Sequence, residues 1–420
     1  MDRAVNACGC GEVHEPLISI EDASGRAAAC VTPLNGYEEV PLWSAAGRIL
    51  AQAVKASLSM PRFDQSAMDG YAVLAASLFD GSNRLPVSQR ILAGDAGKPL
   101  ATGTVARIFT GAQLPPGADA VVMQEQARER DGIVELTGPV LPGAHVRRMG
   151  EDVREGEALL RAGLRLGPRH VAVLASQGHS QVAVRRRPVA AILSTGSELR
   201  APGAPLSQAA LYDSNRPMLM ALVEEDGFSV IDGGCLPDDA RLLTKRLAEL
   251  ADRADLVVSS AGASVGDEDN SLRAAGAAGF RCDALRIAMK PGKPAVVGRR
   301  GSVVYLGLPG NPFSAFLSWR ILGGAMTAAF AGVPASSPCG LPLPAVNGFA
   351  HKPGRTEFVP AQLRPRDGGM AVELLGHGVS GHLKPLVAAD GLAEIDAAAG
   401  AVSPGQTVRF HPFCHSGGRS

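Results

Sequence analysis

The chain has 420 residues, with 41 lysines and arginines balanced by 41 aspartates and glutamates, so its formal net charge is zero. This length is enough for two to four domains with separate cores, and a hydrophobic fraction of 46% is ordinary for a globular protein. The charge balance argues against a nucleic-acid partner and against an anionic membrane surface.

The first residues and the cysteines bear on where the protein is found. Residues 1–15 lack the basic segment and apolar core of a signal peptide and predict a flexible leader. The longest nearly apolar stretch, residues 321–333, is too short to cross a bilayer. Seven scattered cysteines, an odd number, argue against a disulfide framework and for a reducing compartment, and Cys8 and Cys10 lack the spacing of a structural zinc site. We therefore expect a soluble protein in the cytoplasm.

The first half of the chain predicts two kinds of structure. Residues 17–61 have a mixed pattern, with a helix predicted over residues 43–53. Short β-prone runs at 105–110, 120–124 and 132–136 then alternate with glycine- and proline-rich turns. This spacing is typical of a small β-rich module, inserted into a mixed domain that resumes near residue 150.

The second half predicts an α/β domain followed by a β-rich tail. Short apolar runs alternate with helical patterns, which favours a mostly parallel, doubly wound sheet. The predicted strands are 189–193, 228–232, 255–260, 295–297 and 303–307, and the predicted helices are 215–225, 239–251, 270–278 and 312–330. After residue 334 a proline- and glycine-rich run leads into strands predicted at 357–363, 370–375 and 407–410.

The chemically unusual residues of the α/β segment follow its predicted strands. Ligands of open α/β sheets bind at the loops that leave the carboxyl ends of the strands. The loop at 259–266 is rich in serine and glycine, which can present amides and hydroxyls to a phosphate; ordinary capping of a helix is the alternative. The candidate ligand-binding residues of these loops are Ser194, Thr195, Gly196, Ser260, Gly262, Ser264, Gly266, Pro309, Asn311 and Pro312.

Two further sets of charged residues lie on the same loops. Lys290 and Lys293 flank a Pro-Gly pair and would form a cationic pincer for an oxyanion, the alternative being a solvated surface turn. Glu198, Asp238 and Asp269 together can hold a hard divalent cation such as Mg²⁺. For each acid alone a helix cap or an exposed acid is the better explanation, and only their convergence on one sheet edge favours a metal site. Carboxylates and lysines in one crevice suit phosphoanhydride chemistry.

Several segments resemble the molybdopterin molybdenumtransferase family, which includes bacterial MoeA and the E domain of gephyrin. The most specific are SAMDGYA at 66–72 and GLPGNP at 307–312, and the matching segments follow the family order from about residue 20 to 415. The resemblance implies an enzyme that joins molybdate to adenylylated molybdopterin and releases AMP, with a divalent cation. It also implies an elongated homodimer and contact with molybdopterin adenylyltransferase and with proteins that mature molybdoenzymes.

The resemblance also implies a domain layout and a set of functional positions. The layout is a discontinuous mixed domain (16–65 and 147–185), an inserted β-rich domain (66–146), the α/β domain (186–334) and a C-terminal β domain of barrel-like form (335–420). The active site would lie between the α/β domain of one subunit and the segment carrying Asp69 and Thr110 of the other. The matching functional positions are Asp69, Thr110, Asp152, Glu198, Asp238, Asp269, Lys290, Lys293, Pro309, Pro312, Arg355 and Ser380.

Two other functions are compatible with the sequence. The same α/β module performs the preceding adenylyl transfer in single-domain relatives, but the β-rich segments and the Asp69 motif argue against that step. A non-catalytic pterin carrier is favoured only by the C-terminal tail, where the sequence departs from the pattern of the family it resembles. Pro360 stands where that family usually has an arginine, and Lys384-Pro385 stands where it usually has two serines. Near the acids, Ser197 stands where an acidic residue is common.

Overall fold

The computed structural model describes residues 16–78, 83–260, 268–334, 340–376 and 381–413. The chain divides into two compact units, the small unit (residues 39–184) and the large unit (residues 1–38 and 185–420). Cys8 and Cys10 lie outside the described residues. None of the helices in the described ranges is long and apolar enough to span a membrane.

The elements are numbered along the chain. The helices are α1 Ile20–Ala29, α2 Pro168–Ser176, α3 Asn215–Glu225, α4 Ala240–Ala251, α5 Glu268–Ala277, α6 Pro312–Ser318, α7 Gly324–Phe330 and α8 Lys384–Ala388. The strands up to the start of the α/β sheet are β1 Tyr37–Pro41, β2 Val54–Lys55, β3 Gln65–Ser66, β4 Gly70–Val73, β5 Arg84–Ile91, β6 Val105–Ile108, β7 Ala120–Met123, β8 Ala127–Arg130, β9 Ile133–Leu136, β10 Val146–Arg147, β11 Ala158–Leu160 and β12 Gln181–Arg185. The remaining strands are β13 Val189–Thr195, β14 Leu199–Arg200, β15 Leu211–Tyr212, β16 Ser229–Leu236, β17 Leu256–Ser260, β18 Arg281–Arg286, β19 Met289–Lys290, β20 Pro294–Arg300, β21 Val303–Leu308, β22 Leu341–Pro344, β23 Thr356–Arg366, β24 Gly369–Leu374, β25 Gly391–Ile395 and β26 Thr407–Pro412.

The small unit contains a six-stranded sheet with the order β7-β4-β6-β5-β9-β8. Strand β4 pairs antiparallel with β6 on one side and with β7 on the other. Its side chains alternate between two cores, with Tyr71 and Val73 in one hydrophobic cluster and Ala72 beside Ile91 and Ile108 in the other. The β-rich module predicted from the short β-prone runs is confirmed.

The helix predicted over residues 43–53 is wrong. Leu42–Ser44 forms a single 3-10 turn, and Gly47 follows in a left-handed conformation with a φ of 81°. Leu50 then forms a β-bridge with Val184 and is almost fully buried. The spacing of apolar residues predicted a helix that does not form, because helix propensity is a weak preference that tertiary backbone pairing overrides.

Gly70, the first residue of β4, has no room for a side chain. A Cβ atom at this position would lie 1.9 Å from the carbonyl oxygen of Val122 on the neighbouring strand β7. We expect Gly70→Ala to lower the free energy of unfolding by about 1–3 kcal/mol, because the backbone of β7 must move to accept the methyl group. Urea unfolding measures the loss. Gly25→Ala is the control, since no atom lies within 4 Å of a Cβ there, and equal midpoints for both variants would contradict the prediction.

The large unit is built on a second six-stranded sheet, with the order β16-β13-β17-β21-β20-β18. The first four strands of this order are parallel. Strands β20 and β18 continue the sheet in antiparallel pairing. The predicted α/β sheet is confirmed, with two antiparallel strands at one side.

Both faces of this sheet are covered. Ala190 and Ile192 of β13 point into a core that also contains Trp319, while Ala191 and Leu193 point into a second core beneath α4 and α5. Helices α1, α3, α6 and α7 contribute side chains to the first core. The domain is therefore doubly wound, as β13, apolar on both faces, predicts.

The helix predicted over residues 312–330 is confirmed as one continuous helical run. Helix α6 continues through a π-helical turn, Trp319–Gly323, into α7. The ring of Trp319 packs edge-on against Phe228, 6.1 Å between centroids, and its Nε1 donates to Asp226 at 2.8 Å. The indole therefore anchors the run to the core and satisfies its polar nitrogen at the same time.

Asp255 precedes β17 and holds the start of the sheet. Its two carboxylate oxygens accept hydrogen bonds from the guanidinium of Arg186 at 2.7 and 2.8 Å, and one also accepts from the Val189 amide at 2.8 Å. Burial by itself raises the pKa of Asp255, but these hydrogen bonds outweigh it and hold the pKa below its ordinary value.

This arrangement predicts a pH-dependent loss of stability. A carboxyl group with a lowered pKa in the folded state stabilises it above the unfolded pKa, and that stabilisation disappears as the pH falls through the folded pKa. We expect Asp255→Asn to cost about 1–3 kcal/mol near neutral pH and much less in acid, where the native carboxyl is protonated too. Urea unfolding of both proteins at about pH 7 and at successively lower pH below the ordinary aspartate pKa checks this. A difference that stays constant as the pH falls would refute it.

The C-terminal residues of the large unit form a third six-stranded sheet. Strands β19, β23, β25, β26 and β22 lie side by side, and β24 pairs with β23. Its core contains Val359, Ala393 and Phe410. The predicted β-rich tail is confirmed. Strand β19, only two residues long, comes from the α/β segment and pairs in parallel with β23, with Lys290 opposite Glu357.

Candidate active site

Two of the predicted metal-binding acids lie on adjacent loops of the large unit. Glu198 follows β13 and Asp238 follows β16, and these two strands are parallel neighbours. The Ser197 amide donates to Asp238 Oδ2 at 3.0 Å, and the Asp238 amide donates to Ser197 Oγ at 3.1 Å. These reciprocal bonds fix the two loops together, and Ser197 contributes both its amide and its hydroxyl to the contact.

Residue 196 has to be a glycine because the side chain of Glu198 lies against it. A Cβ atom on Gly196 would lie 2.9 Å from both carboxylate oxygens of Glu198 and 2.9 Å from the Cγ of Leu199. The Glu198 carboxylate therefore lies against the loop backbone while remaining exposed to solvent. An exposed carboxylate held in this way is available to a ligand at the end of β13.

Ser194 is engaged in an internal network. Its Oγ donates to Asp213 Oδ1 at 3.1 Å, and Asp213 also accepts from the amide and the Nε of Arg216 at 3.1 and 3.0 Å. Arg216 completes the network with an ion pair to Asp232. The neighbouring Thr195 is buried as well. The network fixes the start of α3 beside the end of β13.

Asn215 connects two other loops of the same edge. Its Nδ2 donates to Ser260 Oγ at 2.7 Å and to the Gly310 carbonyl at 2.6 Å. Pro309 is buried, while Asn311 occupies the N-cap position of α6 and Pro312 begins the helix. The amide of Asn215 thus joins the end of β17 to the loop after β21.

Part of the predicted site is not described. Gly262, Ser264 and Gly266 of the serine- and glycine-rich loop lie outside the described residues, and so does Ser380 of the tail. Asp269 belongs to α5, but its side chain is not among those described. The hypotheses for these five residues stay predictions.

The Lys-Pro-Gly-Lys turn lies at the same edge of the sheet as the acids. Strand β20 begins at Pro294 and runs antiparallel to β21, with Val296 opposite Gly307. Lys293, immediately before β20, is therefore beside the carboxyl ends of the parallel strands. The Lys293 carbonyl accepts from the Ile287 amide at 2.8 Å, which closes the turn.

The two lysines of this turn differ in their surroundings. Lys290 Nζ lies 2.8 Å from Glu357 Oε1. Lys293 is partly exposed, and no described acid forms an ion pair with it. Arg355 is partly buried just before β23, and the next amide, of Thr356, donates to the Ala288 carbonyl at 3.0 Å. The pairing of β19 with β23 thus brings Arg355 close to the lysine turn.

The small unit brings Asp69 and Thr110 together. Asp69 Oδ1 accepts from the Thr110 amide at 2.9 Å and from its hydroxyl at 2.8 Å. These two bonds lower the pKa of Asp69 below its ordinary value, and the charge of Arg107 acts in the same direction. The Arg107 guanidinium lies over the rings of Tyr71 and Phe109, 5.0 and 4.9 Å from their centroids. Asp69 is therefore an ionised carboxylate beside a stacked arginine.

Asp152 lies on a separate loop of the small unit. Its side chain is exposed, and its amide donates to the Met60 carbonyl at 3.0 Å. The preceding turn is fixed to the same segment, since the Gly150 amide donates to the Pro61 carbonyl at 3.0 Å. The Asp152 amide is bonded to Met60, and the chain runs from Met60 through β3 to Asp69. The two acids are therefore connected by this short segment.

The residue types on these two loops are ones that can bind a divalent cation. Glu198 and Asp238 supply carboxylate oxygens, the ligands that Mg²⁺ prefers. Within the described side chains, however, no three of His, Cys, Asp and Glu converge closely enough to hold a metal ion. The third proposed acid, Asp269, is not among those side chains.

The sequence reasoning missed three buried polar groups that hold the site. Glu357 and His351 lie behind Lys290, and Asn215 joins two edge loops. One signal was available for Glu357, a single acid within the otherwise apolar start of β23. The other two gave no local signal, because their contacts are with residues far away in the sequence.

Comparison with known proteins agrees with this architecture. Three family descriptions match the chain in order: the MoeA N-terminal region (domain I and II) over residues 18–178, a probable molybdopterin binding domain over 191–328, and the MoeA C-terminal region (domain IV) over 342–413. A solved structure, the molybdopterin biosynthesis MoeA protein of Pyrococcus horikoshii OT3, superposes with a TM-score of 0.80 at 27% identity, covering 95% of this chain and 100% of that one.

Two similar sequences carry the same name. A molybdopterin molybdenumtransferase of Haemophilus influenzae is 34% identical over 385 residues, which covers 90% of this chain and 94% of the relative. A protein of the same name from Nostoc sp. is 37% identical over 321 residues, 74% of each chain. The chain therefore belongs to the molybdopterin molybdenumtransferase family, that of MoeA.

Proposed function

We propose that this protein inserts molybdate into adenylylated molybdopterin, releasing AMP and giving the molybdenum cofactor. One observation carries the proposal beyond family membership: the loops bearing Glu198, Asp238 and Lys293 lie at the same edge of the α/β sheet. A nucleotide-linked pterin and a metal oxyanion are both anionic, and a cleft with amines and a bound cation suits them.

The proposed roles follow from the position of each group. Lys290 and Lys293 bind the oxyanion, and Glu198, Asp238 and Asp269 hold a divalent cation, most simply Mg²⁺. That cation would neutralise charge on the pyrophosphate oxygens when the link to AMP breaks. Asp69, Thr110 and Asp152 act on the same substrate. The remaining loop residues, with Arg355 and Ser380, line the ligand site.

The test is a reaction with purified components. Protein is supplied with adenylylated molybdopterin, molybdate and Mg²⁺, and both AMP release and reconstitution of a cofactor-free molybdoenzyme are measured. We expect both signals, and we expect a chelator to abolish AMP release until Mg²⁺ is restored. The proposal would be wrong if both signals were absent while a Haemophilus influenzae relative, assayed in parallel, released AMP and reconstituted the molybdoenzyme. Consumption of ATP with bare molybdopterin would identify the adenylyl-transfer step instead.

We further propose a cytoplasmic homodimer with the four-domain layout predicted above. Family membership supports this assembly, in which the segment carrying Asp69 would complete the site of the other subunit. Light scattering after gel filtration measures the mass in solution, and a monomer that is fully active would contradict the shared site. Contacts with molybdopterin adenylyltransferase and with molybdoenzyme-maturation proteins are tested by co-purification.

A further inference from the structure

A buried glutamate lies directly behind Lys290. Glu357, the second residue of β23, has only 2% of its side chain exposed. Its Oε1 lies 2.8 Å from Lys290 Nζ, and its Oε2 lies 2.8 Å from His351 Nδ1. Both carboxylate oxygens therefore have partners, as a buried charge requires.

The third residue of this contact network is His351, which is as buried as Glu357, with 1% of its side chain exposed. Its Nε2 has no hydrogen-bond partner among the described atoms, so its one polar contact is with the carboxylate. Two side chains therefore contact the carboxylate, the Lys290 ammonium at Oε1 and the His351 imidazole at Oε2.

Lys290 differs from its two partners because 40% of its side chain is exposed. An ammonium group has three N–H donors, and the contact with Glu357 takes one, which leaves two for a ligand on the open side. The backbone fixes the pair as well, since Lys290 and Glu357 are opposite each other in the β19–β23 ladder. Lys293, with no acid of the described ranges paired to it, lacks such a support.

We propose that Glu357 is a positioning residue, which aims the Lys290 ammonium at the oxyanion while His351 fixes the carboxylate. This inference rests on the proposed function and names the buried groups that support it. The two lysines then have different tasks, because Lys290 is held ready before the anion arrives and Lys293 adapts to it. A purely structural ion pair is the competing explanation, and the two explanations differ in kinetics.

The experiment compares Glu357→Gln, Lys290→Met and the double variant in steady-state AMP release at varied molybdate. A group that acts on oxyanion binding raises KM without changing kcat, whereas partial misfolding lowers kcat alone. We expect Glu357→Gln to raise the KM for molybdate by about tenfold, since small misplacements of a binding group have effects of this size or larger. In the Lys290→Met background the same change should have no further effect on KM.

Glu394 provides a matched control within the same sheet. Its carboxylate also joins a cation and a histidine, Arg409 at 2.8 Å and His411 at 2.6 Å, but it contacts neither lysine of the turn. Glu394→Gln should change the melting temperature and leave the KM for molybdate as in the wild type. An equal rise of KM in both glutamine variants would overturn the inference, and so would independent effects of Glu357→Gln and Lys290→Met.

Molybdate binding measured by calorimetry separates this inference from the proposed reaction. If AMP release fails but binding is weakened by Glu357→Gln only when Lys290 is present, the positioning role stands and the proposed reaction falls. If the wild type turns over but Glu357→Gln leaves KM and binding unchanged, the positioning role falls alone. Should Glu357→Gln not fold, Glu357→Asp retains the charge, withdraws it by one methylene and tests the same coupling.

Discussion

Replacement of Asp69 by alanine is expected to reduce AMP release by about 100-fold or more while the protein remains folded. The Asp69 carboxylate contacts Thr110 through Oδ1 alone, so Oδ2 accepts no hydrogen bond from the described residues. The pKa of Asp69 is lowered by Thr110, and the group is therefore ionised at neutral pH. In the proposed function, this charged oxygen, which no described residue contacts, binds the substrate. The kcat of AMP release measures the loss.

The control for this prediction is the residue that holds Asp69. Thr110→Ser keeps the hydroxyl that donates to Asp69, whereas Thr110→Val keeps the shape and removes the donor. We expect the serine variant to retain most of the activity and the valine variant to lose much of it, with similar melting temperatures for both. Wild-type turnover in Asp69→Ala would show that this carboxylate has no part in the reaction.

The second large effect is expected at the adjacent acidic loops. Glu198→Gln and Asp238→Asn should each lower kcat/KM by about 100-fold, because each removes one negative charge from the proposed cation site. Raising the concentration of Mg²⁺ should restore part of the activity if the loss is in cation affinity. Titration of activity against Mg²⁺ for the wild type and both variants gives the measurement.

Asp239 is a matched control for the acidic loops because it is the next residue after Asp238. Its carboxylate accepts from the amides of Arg241 and Leu242 and caps helix α4. Asp239→Ala should therefore cost about 1 kcal/mol of stability and leave the Mg²⁺ titration unchanged. If Asp239→Ala and Asp238→Asn shifted the titration equally, the effect would be general to the loop and the assignment of Asp238 would fail.

Local patterns predicted the α/β domain well because its elements are fixed by short-range rules. Helix α3 begins and ends at the predicted residues, and α4 begins one residue after its predicted start, with Asp239 as its cap. The candidate loops lie together because the carboxyl ends of parallel strands meet at one edge, whatever the details of packing. The helix expected over residues 43–53 failed because Leu50 finds a backbone partner in Val184.

The sequence by itself determined the family, the order of the elements and the edge of the sheet at which the charged loops lie. Only the tertiary structure decided which polar groups bond to other side chains of the protein. Examples are the Ser194 hydroxyl, which donates to Asp213, and the Lys290 ammonium, which contacts Glu357. The physical reason is that hydrogen bonds depend on distances of about 3 Å, which long-range strand register sets and local pattern does not. Lys290 contacts its buried partner Glu357 because β19, Met289–Lys290, pairs with β23 of the C-terminal sheet.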